Sequence, residues 1–356
     1  MLRTTAQERG SRKSGVASGR ADDRYSRQCV LPEIGPSGQA RLGSSRAVVV
    51  GCGALGTVQA SLLVRAGVGE TVLVDRDYVE VGNLQRQVLF DERDAHQGTP
   101  KAEAAAKHLR LANSEVSVVP AVADLTARNA ERLLGGANVI LDGTDNFETR
   151  YLLNDAAVKL AIPWIYGAAV GTHGSVMAIV PGSTACLACL FPSAPTSPQP
   201  TCDTAGVLNA VTALVASLQV VEALKVLTGQ MDSATARLVT LDPWRGQRSS
   251  VATASPDPKC PTCQRRQFRA LAAVSDPAAK LCGRDAVQVR GRRRHISLGI
   301  LADGLERIGE VRRSELALRF LCPPHELTVF ADGRAIVKGT RDPALARSLY
   351  SRFVGD

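Results

Sequence analysis

The chain has 356 residues, 45% hydrophobic and 22% charged, an ordinary globular balance with enough material for one large core and a smaller one. Its formal charge of +9 is unevenly placed: residues 1–20 carry five basic and one acidic side chain, residues 264–356 eighteen and ten, and residues 21–263 twenty and twenty-three. A basic excess confined to the two ends, with aromatics at 4% and no nucleic-acid-binding signature, argues against DNA or RNA as a partner and fits a solvated basic face or a docking patch.

No uninterrupted apolar run reaches the roughly 18–20 residues of a bilayer span. Gly206–Gly229 is broken by Asn209, Gln219, Glu222 and Lys225 and reads as a buried helix, so no membrane association is expected. Residues 1–22 are Ser-, Arg- and Gly-rich without a hydrophobic segment and are expected to form a disordered tail on a cytoplasmic protein.

After a polar segment, Arg24-Tyr25-Ser26-Arg27-Gln28, the first strand is Ala47–Val50, a continuous apolar run of the kind buried on both faces of a parallel sheet. It leads into Gly51-Cys52-Gly53-Ala54-Leu55-Gly56 and an apolar-periodic helix ending at Gly67. Val72–Val74 is the next strand, terminating in Asp75, and completes a βαβ unit. A helix from Lys101, a strand at Val116–Val119, a helix over Ala127–Leu134 and a strand at Val139–Leu141 continue the alternation. Asp142-Gly143-Thr144-Asp145-Asn146 follows, then a helix through Asn154–Leu160 and strands at Trp164–Val170 and Ser175–Val180. The pattern predicts an α/β fold with a doubly wound, mostly parallel, Rossmann-like sheet.

Residues 192–205 read as a mobile Pro/Ser/Thr-rich crossover loop, and Ser249–Lys259 as a linker. Strands at Val287–Arg290, Leu316–Leu321, Glu326–Phe330 and Ala335–Lys338 follow, with a turn at Ala331-Asp332-Gly333. Helices near Leu301–Ile308 and Ala344–Phe353 complete a small C-terminal α+β domain. The expected division is a tail (1–22), a nucleotide-binding domain (23–264) and the small domain (270–356).

The run from Gly51 to Gly56 fits the GxGxxG fingerprint in its required context, after a strand and opening a helix. Its glycines let backbone approach phosphate at a helix N-terminus. Asp75, nineteen residues past Gly56, stands where an acidic side chain meets ribose hydroxyls. These features alone leave NAD, FAD and ATP open. Asp77, Asn83, Arg86 and Lys101 then add polar and cationic groups that suit a triphosphate better than nicotinamide, Arg86 and Lys101 neutralising charge as pyrophosphate leaves. Asp145, at a strand's carboxyl end, is placed to hold Mg²⁺.

Cys186-x-x-Cys189 and Cys260-x-x-Cys263, seventy residues apart, suggest a closed four-thiolate structural Zn²⁺ site. The redox alternative lacks a thioredoxin-like context. Cys202, at a predicted helix N-terminus, is either a nucleophile with a lowered pKa or a bystander thiol. Cys29, Cys52, Cys282 and Cys322 read as small core residues.

Taken in order, RYSRQ at Arg24–Gln28, the glycine motif, DRD at Asp75–Asp77 and NLQRQ at Asn83–Gln87 resemble one family, the ThiF/MoeB/HesA group of ubiquitin-activating-like adenylyltransferases. Lys101 in PKAE, DGTDN at Asp142–Asn146, TRYLLND at Thr149–Asp155, CLACLFP at Cys186–Pro192, Cys202–Gly206 and the last CxxC extend the match. It covers about Arg24 to Cys263. The resemblance implies a ubiquitin-activating-enzyme adenylation fold and a homodimer in which Arg27 enters the partner's ATP site. It implies that Gly51, Gly53, Ala54, Leu55, Gly56, Asp75, Asp77, Asn83, Arg86, Lys101 and Asp145 bind ATP and Mg²⁺. The implied substrate is a small ubiquitin-like sulfur-carrier protein ending in Gly-Gly, whose carboxylate attacks the α-phosphate. A cysteine desulfurase or rhodanese-type protein is the implied sulfur donor, and a cysteine at the Cys202 position takes the acyl or persulfide group in some members.

Two departures stand out. Ala54 replaces a glycine common at that position, a change small enough for activity to survive. The segment after Cys263 lacks a loop resembling a rhodanese active site. Instead, Leu281–Gln288 and DGRAIVKGT resemble the extension of bacterial thiamine-pathway members, which favours a thiazole-sulfur carrier over a molybdopterin one. An NAD-dependent oxidoreductase would leave the cysteine pairs, Arg86 and Lys101 unexplained, and a non-catalytic scaffold would leave Asp75, Arg86, Lys101 and Asp145 without a purpose. A non-carrier substrate remains open at this stage.

Overall fold

A computed structural model describes residues 24–193, 202–230, 236–273, 278–280, 285–291, 295–314 and 316–355. The tail expected over 1–22 and most of the crossover loop lie outside the described residues, as does Cys282.

Eight strands form the larger sheet: β1 (Arg46–Val50), β2 (Glu70–Asp75), β3 (Ser117–Val122), β4 (Val139–Asp142), β5 (Trp164–Val170), β6 (His173–Ile179), β7 (Arg237–Asp242) and β8 (Gln247–Ala252). Their order is β3-β2-β1-β4-β5-β6-β7-β8. The first five in that order pair in parallel, and β5 to β8 form an antiparallel meander. Central β1 is buried from Ala47 to Val50, between the apolar layers that helices place on each face of the sheet. That two-sided burial is why its sequence is an unbroken apolar run. The chain reverses its direction of winding between β1 and β4, so their carboxyl ends open a crevice at the topological switch point, where open α/β sheets bind ligands.

The helix Asn209–Leu227 packs on β4, β5, β6 and the helix Ala54–Arg65. Its mean hydropathy of 1.7 over eighteen residues and its length would suit a bilayer span. It nevertheless carries Gln219 at 0% exposure, hydrogen-bonded within the core, and buried Glu222 paired with Lys225.

The smaller sheet is antiparallel, with β9 (Ala278–Lys280), β10 (Ala286–Arg290), β11 (Glu310–Arg313), β12 (Ala317–Cys322), β13 (His325–Phe330) and β14 (Arg334–Lys338) in the order β11-β12-β13-β14-β10-β9. The helix Pro343–Phe353 closes one face through Ala346 and Tyr350, which pack with Val287, Leu327, Val329 and Val337. Asp342 caps that helix by accepting from Ala344 N, and Pro343 opens it.

Three expectations change. The linker expected from Ser249 begins inside β8, an edge strand exposed along its whole length; QRSSVA offers no buried face and so no alternation to read. β7, β9 and β11 were not expected: β7 is a short run, RLVTLD, placed by its pairing with β6 and β8, β9 is three residues long, and β11, EVRR, is charged as edge strands tend to be. The helix expected at Asn154–Leu160 starts earlier, at Phe147, because Asn146 caps it by accepting from Thr149 N at 2.8 Å.

Candidate active site and thiolate cluster

The glycine motif forms the turn between β1 and the helix Ala54–Arg65. Gly51 has φ +91°, and a Cβ there would lie 2.5 Å from Gly143 O. A Cβ on Gly56 would lie 1.7 Å from Gly51 O. Both glycines are therefore required for the turn to close on itself and on the DGTDN loop. Gly53 differs, since a Cβ there would meet only Gly143 O at 3.9 Å. Its bareness leaves backbone open toward the crevice. Ala54 occupies the first helical position, where a methyl group does not obstruct the helix, so the departure from glycine is sterically mild.

Asp75 ends β2 and turns back over this loop. One carboxylate oxygen accepts from Cys52 N at 2.6 Å and the other from Asp77 N at 2.7 Å. Burial raises its pKa, opposed mainly by the nearby Lys101 ammonium. Each oxygen keeps a lone pair for a ribose hydroxyl. Burial also pushes the Cys52 thiol well above its ordinary value, with Asp75 adding to the effect; this cysteine is an inert core thiol, as its sequence context suggests.

Lys101 is 4% exposed and stands at the first position of the helix Lys101–Ala112. A lysine there opposes the helix dipole. Its backbone N–H donates to Asp77 O at 2.9 Å, and its ammonium lies 3.5 Å from the Asp77 carboxylate. The fold thus buries a cation beside two carboxylates at the mouth of the glycine turn. Asn83 is 5% exposed and ends a short 3-10 turn, Val81–Asn83; its side-chain oxygen accepts from Glu80 N at 3.1 Å while Glu80 accepts from Asn83 N. Arg86 folds back on Gly82 O at 2.9 Å. Asn209, opening the long core helix, donates to Gln85 O at 3.2 Å and ties this loop to the core.

Asp145 is exposed just past the end of β4. Its charge reaches Arg76 and Arg150, so the DRD and DGTDN loops share one electrostatic environment. Cys202 opens the short helix Cys202–Ala205, whose end docks on the β5–β6 turn through Gly171 N to Gly206 O at 2.9 Å. Arg27 is not brought to the glycine turn of its own chain. It lies exposed on the helix Ser26–Cys29, whose Gln28 donates to Ala66 O. That is the far end of a twelve-residue helix from the glycine turn, about 18 Å away.

Sequence reasoning missed the polar frame beneath the site. Arg150, 6% exposed, donates to Asp142 Oδ2 at 3.3 Å, Thr144 O at 2.8 Å and Gly167 O at 3.2 Å. Asp142, wholly buried, also accepts from Thr144 N and Oγ1. Gln59 and Gln219 both donate to Asp142 O at 2.9 Å and bond to each other at 2.6 Å. The only sequence signal for this frame is polar residues at buried phases of helices, and their partners are too distant in sequence to be paired by eye.

The four CxxC cysteines converge as the sequence suggested. Cys186 and Cys189 sulfurs are 3.8 Å apart, Cys186 and Cys260 3.6 Å, and Cys189 and Cys263 3.5 Å, with all four within 4.8 Å. Zn–S bonds of about 2.3 Å give a tetrahedron with edges of about 3.8 Å, so this donor set could bind zinc. Burial and neighbouring thiols raise Cys186, and burial and hydrogen bonding push Cys263 up to about 12. Burial opposes ionisation of Cys260 too, but hydrogen bonds from the other three outweigh it and lower its pKa. Four thiols so disposed ionise together only against a cation. Around them, Asn154 donates to Cys186 Sγ at 3.7 Å and accepts from Leu187 N at 2.9 Å, and Asp155 accepts from Thr262 Oγ1 and Ala270 N. The adjacent Asn154–Asp155 pair thus holds both CxxC segments on one helix.

With this geometry in view, a model of the ThiF family matches residues 25–262. The chain belongs to the ThiF family. A ThiF-family relative, the sulfur carrier protein ThiS adenylyltransferase of Bacillus subtilis, is 45% identical over 93% of this chain and 99% of its own length. The SAMP-activating enzyme E1 of Haloferax volcanii is 43% identical over 68% of this chain and 88% of its own. Among solved structures, E. coli MccB crystallised with MccA-N7isoASN superimposes with a TM-score of 0.60 at 24% identity. That superposition covers 67% of this chain and 74% of MccB, and shows the shared fold. The ThiF-family assignment removes the NAD-dependent oxidoreductase, and the matched span contains the crevice at Gly51, Asp75 and Lys101.

Proposed function

We propose that the chain adenylates the C-terminal glycine carboxylate of a small ubiquitin-like sulfur-carrier protein ending in Gly-Gly. The observation that carries this reading is the buried Lys101 ammonium, held beside Asp75 and Asp77 at the open glycine turn. Asp75 and Asp77 offset the cost of burying this lysine at a helix N-terminus and hold its ammonium at the mouth of the glycine turn, where it can meet a triphosphate.

ATP lies with its ribose toward Asp75 and its phosphates over the backbone from Gly51 to Gly56. The carrier carboxylate attacks the α-phosphorus, the bond to the bridging oxygen of the β-phosphate breaks, and pyrophosphate leaves with that electron pair. Lys101 and Arg86 neutralise the departing charge, and Asn83 and Asp77 fix the nucleotide. Arg27 acts from a second copy of the chain, which its distance from its own glycine turn supports. Asp145 is the carboxylate ligand for Mg²⁺, which when bound offsets phosphate charge. Cys186, Cys189, Cys260 and Cys263 hold Zn²⁺ as a closed staple between the two CxxC segments.

The full-length likeness to the Bacillus subtilis enzyme supports a carrier of the thiamine-pathway type. Cys202 acts after adenylation: its thiolate attacks the outer sulfur of a persulfide on a cysteine desulfurase or rhodanese-type donor, forming the Cys202 persulfide as the donor's S–S bond breaks and its thiolate leaves. Intact-mass analysis of a Gly-Gly carrier incubated with the chain and Mg·ATP tests the first step. A gain of one AMP on the carrier supports it. An unmodified carrier, with ATP turned over on another added substrate, refutes it.

A further inference from the structure

The antiparallel sheet grips the chain segment that leaves β2 and carries Asp77 and Asn83. Along β14, Arg334, Ile336 and Lys338 share one face. That face meets the segment, with Ile336 packed beside Tyr78. Arg334 has 0% exposure, yet its guanidinium reaches out of its own sheet to Arg76 O and Val122 O, each at 3.3 Å. Asp332 at 2.7 Å and the Phe330 ring at 4.3 Å hold it in that direction.

Four residues along, Lys338 pairs with Glu80. Glu80 is the residue whose side chain caps the 3-10 turn ending in Asn83. Between these two grips Tyr78 is 1% exposed and donates to Glu326 at 3.2 Å, with Lys338 at 4.9 Å and Arg319 at 5.7 Å from its ring centre. A wholly buried arginine spent on the carbonyls of Arg76 and Val122, and a lysine spent on the Glu80 carboxylate, hold the Arg76–Asn83 segment at two points, Arg76 and Glu80.

We propose that the C-terminal sheet is a clamp on the nucleotide loop, and that Arg334 and Lys338 are positioning residues for ATP. This rests on the nucleotide site described above. Neither residue touches ATP; each sets the backbone from which Asp77 and Asn83 reach it.

The test uses the full chain, with Mg·ATP affinity from titration calorimetry and amide hydrogen exchange mapped along the sequence. Lys338 is partly exposed, so Lys338→Ala is the variant that leaves the core intact. Its Kd for Mg·ATP rises about three- to tenfold, in the range of coupled neighbouring residues. Faster exchange is confined to residues 76–87. Lys338→Arg restores most of the affinity. Adding Glu80→Gln to Lys338→Ala weakens binding no further than the weaker single variant, because both break one pair. Wild-type affinity in Lys338→Ala overturns the inference, as does faster exchange spreading through β1 and β4, which marks general loosening. A wild-type chain that does not bind Mg·ATP overturns the nucleotide site itself and the clamp's purpose with it.

Discussion

Replacing Arg150 by Met removes a cation from the base of the crevice and leaves the Asp142 carboxylate buried without its charge partner. The pair is 3.3 Å apart, with Asp142 wholly buried and the Arg150 side chain 8% exposed. Two carbonyls, Thr144 O and Gly167 O, lose donors as well. Breaking a buried pair from one side costs about 3–5 kcal/mol, because the remaining charge stays desolvated. At about 2 °C per kcal/mol for a chain of this size, the melting temperature falls by about 6–10 °C.

The deficit depends on pH. Burial raises the Asp142 carboxyl above its ordinary value, and Arg150 is the first of the groups opposing that. A carboxyl with a raised folded pKa binds more protons folded than unfolded. Stability is then lost as pH rises from the unfolded to the folded value. Without Arg150 the folded value climbs further, so the deficit relative to wild type is smallest in acid and widens as pH rises from the wild-type folded value to the variant's higher one. Circular-dichroism melting of both proteins across that range measures it. Adding Asp142→Asn to Arg150→Met removes the orphaned charge and recovers about 1–2 kcal/mol. A deficit below about 1 kcal/mol, one that does not vary with pH, or a double variant weaker than the single refutes the buried-pair account.

Two glycines separate folding from binding. Gly56→Ala places a Cβ 1.7 Å from Gly51 O, so it lowers the melting temperature and abolishes Mg·ATP binding. Gly53→Ala meets only Gly143 O at 3.9 Å, so it melts like wild type and loses nucleotide affinity alone. Calorimetry of both variants checks the contrast. Elemental analysis of the purified chain finds about one zinc per chain, the stoichiometry of a Cys₄ site. Cys189→Ser and Cys263→Ser lose the metal and melt lower, whereas Cys29→Ser keeps it. Lys101→Ala melts lower than wild type, because Asp75 and Asp77 lose their cation, and slows adenylation by about 10²–10³, the cost of removing one preorganised charge from a developing anion.

The parallel half of the fold was legible because its central strands β1, β2 and β4 are apolar runs buried on both faces, and each ends in a chemically distinctive loop. Gly51–Gly56, Asp75 and the four cysteines all fell where their spacing placed them. β7, β8, β9 and β11 were not legible: β8 is exposed and β11 charged, so neither carries a period-two signal, β9 is three residues long, and β7 is a short run, RLVTLD, that its pairing with β6 and β8 places. The frame of Gln59, Asp142, Arg150 and Gln219 was hidden for another reason. Its members are polar residues whose partners lie as far as 160 positions away, and no local pattern joins them. The grip of Arg334 and Lys338 on a segment 258 residues earlier is the same case. Arg27 was legible only as a motif, and the structure adds that its own chain's glycine turn lies at the opposite end of a helix.

The measurement that tests the central claim most directly is carrier-dependent ATP–pyrophosphate exchange, with wild type, Asp145→Ala and Cys202→Ala run against sulfur carriers ending in Gly-Gly. The account predicts exchange in wild type and Cys202→Ala but not in Asp145→Ala, which makes acyl-adenylate formation the first step and places the cysteine after it. Exchange that proceeds without any carrier, or none with any Gly-Gly carrier, contradicts it.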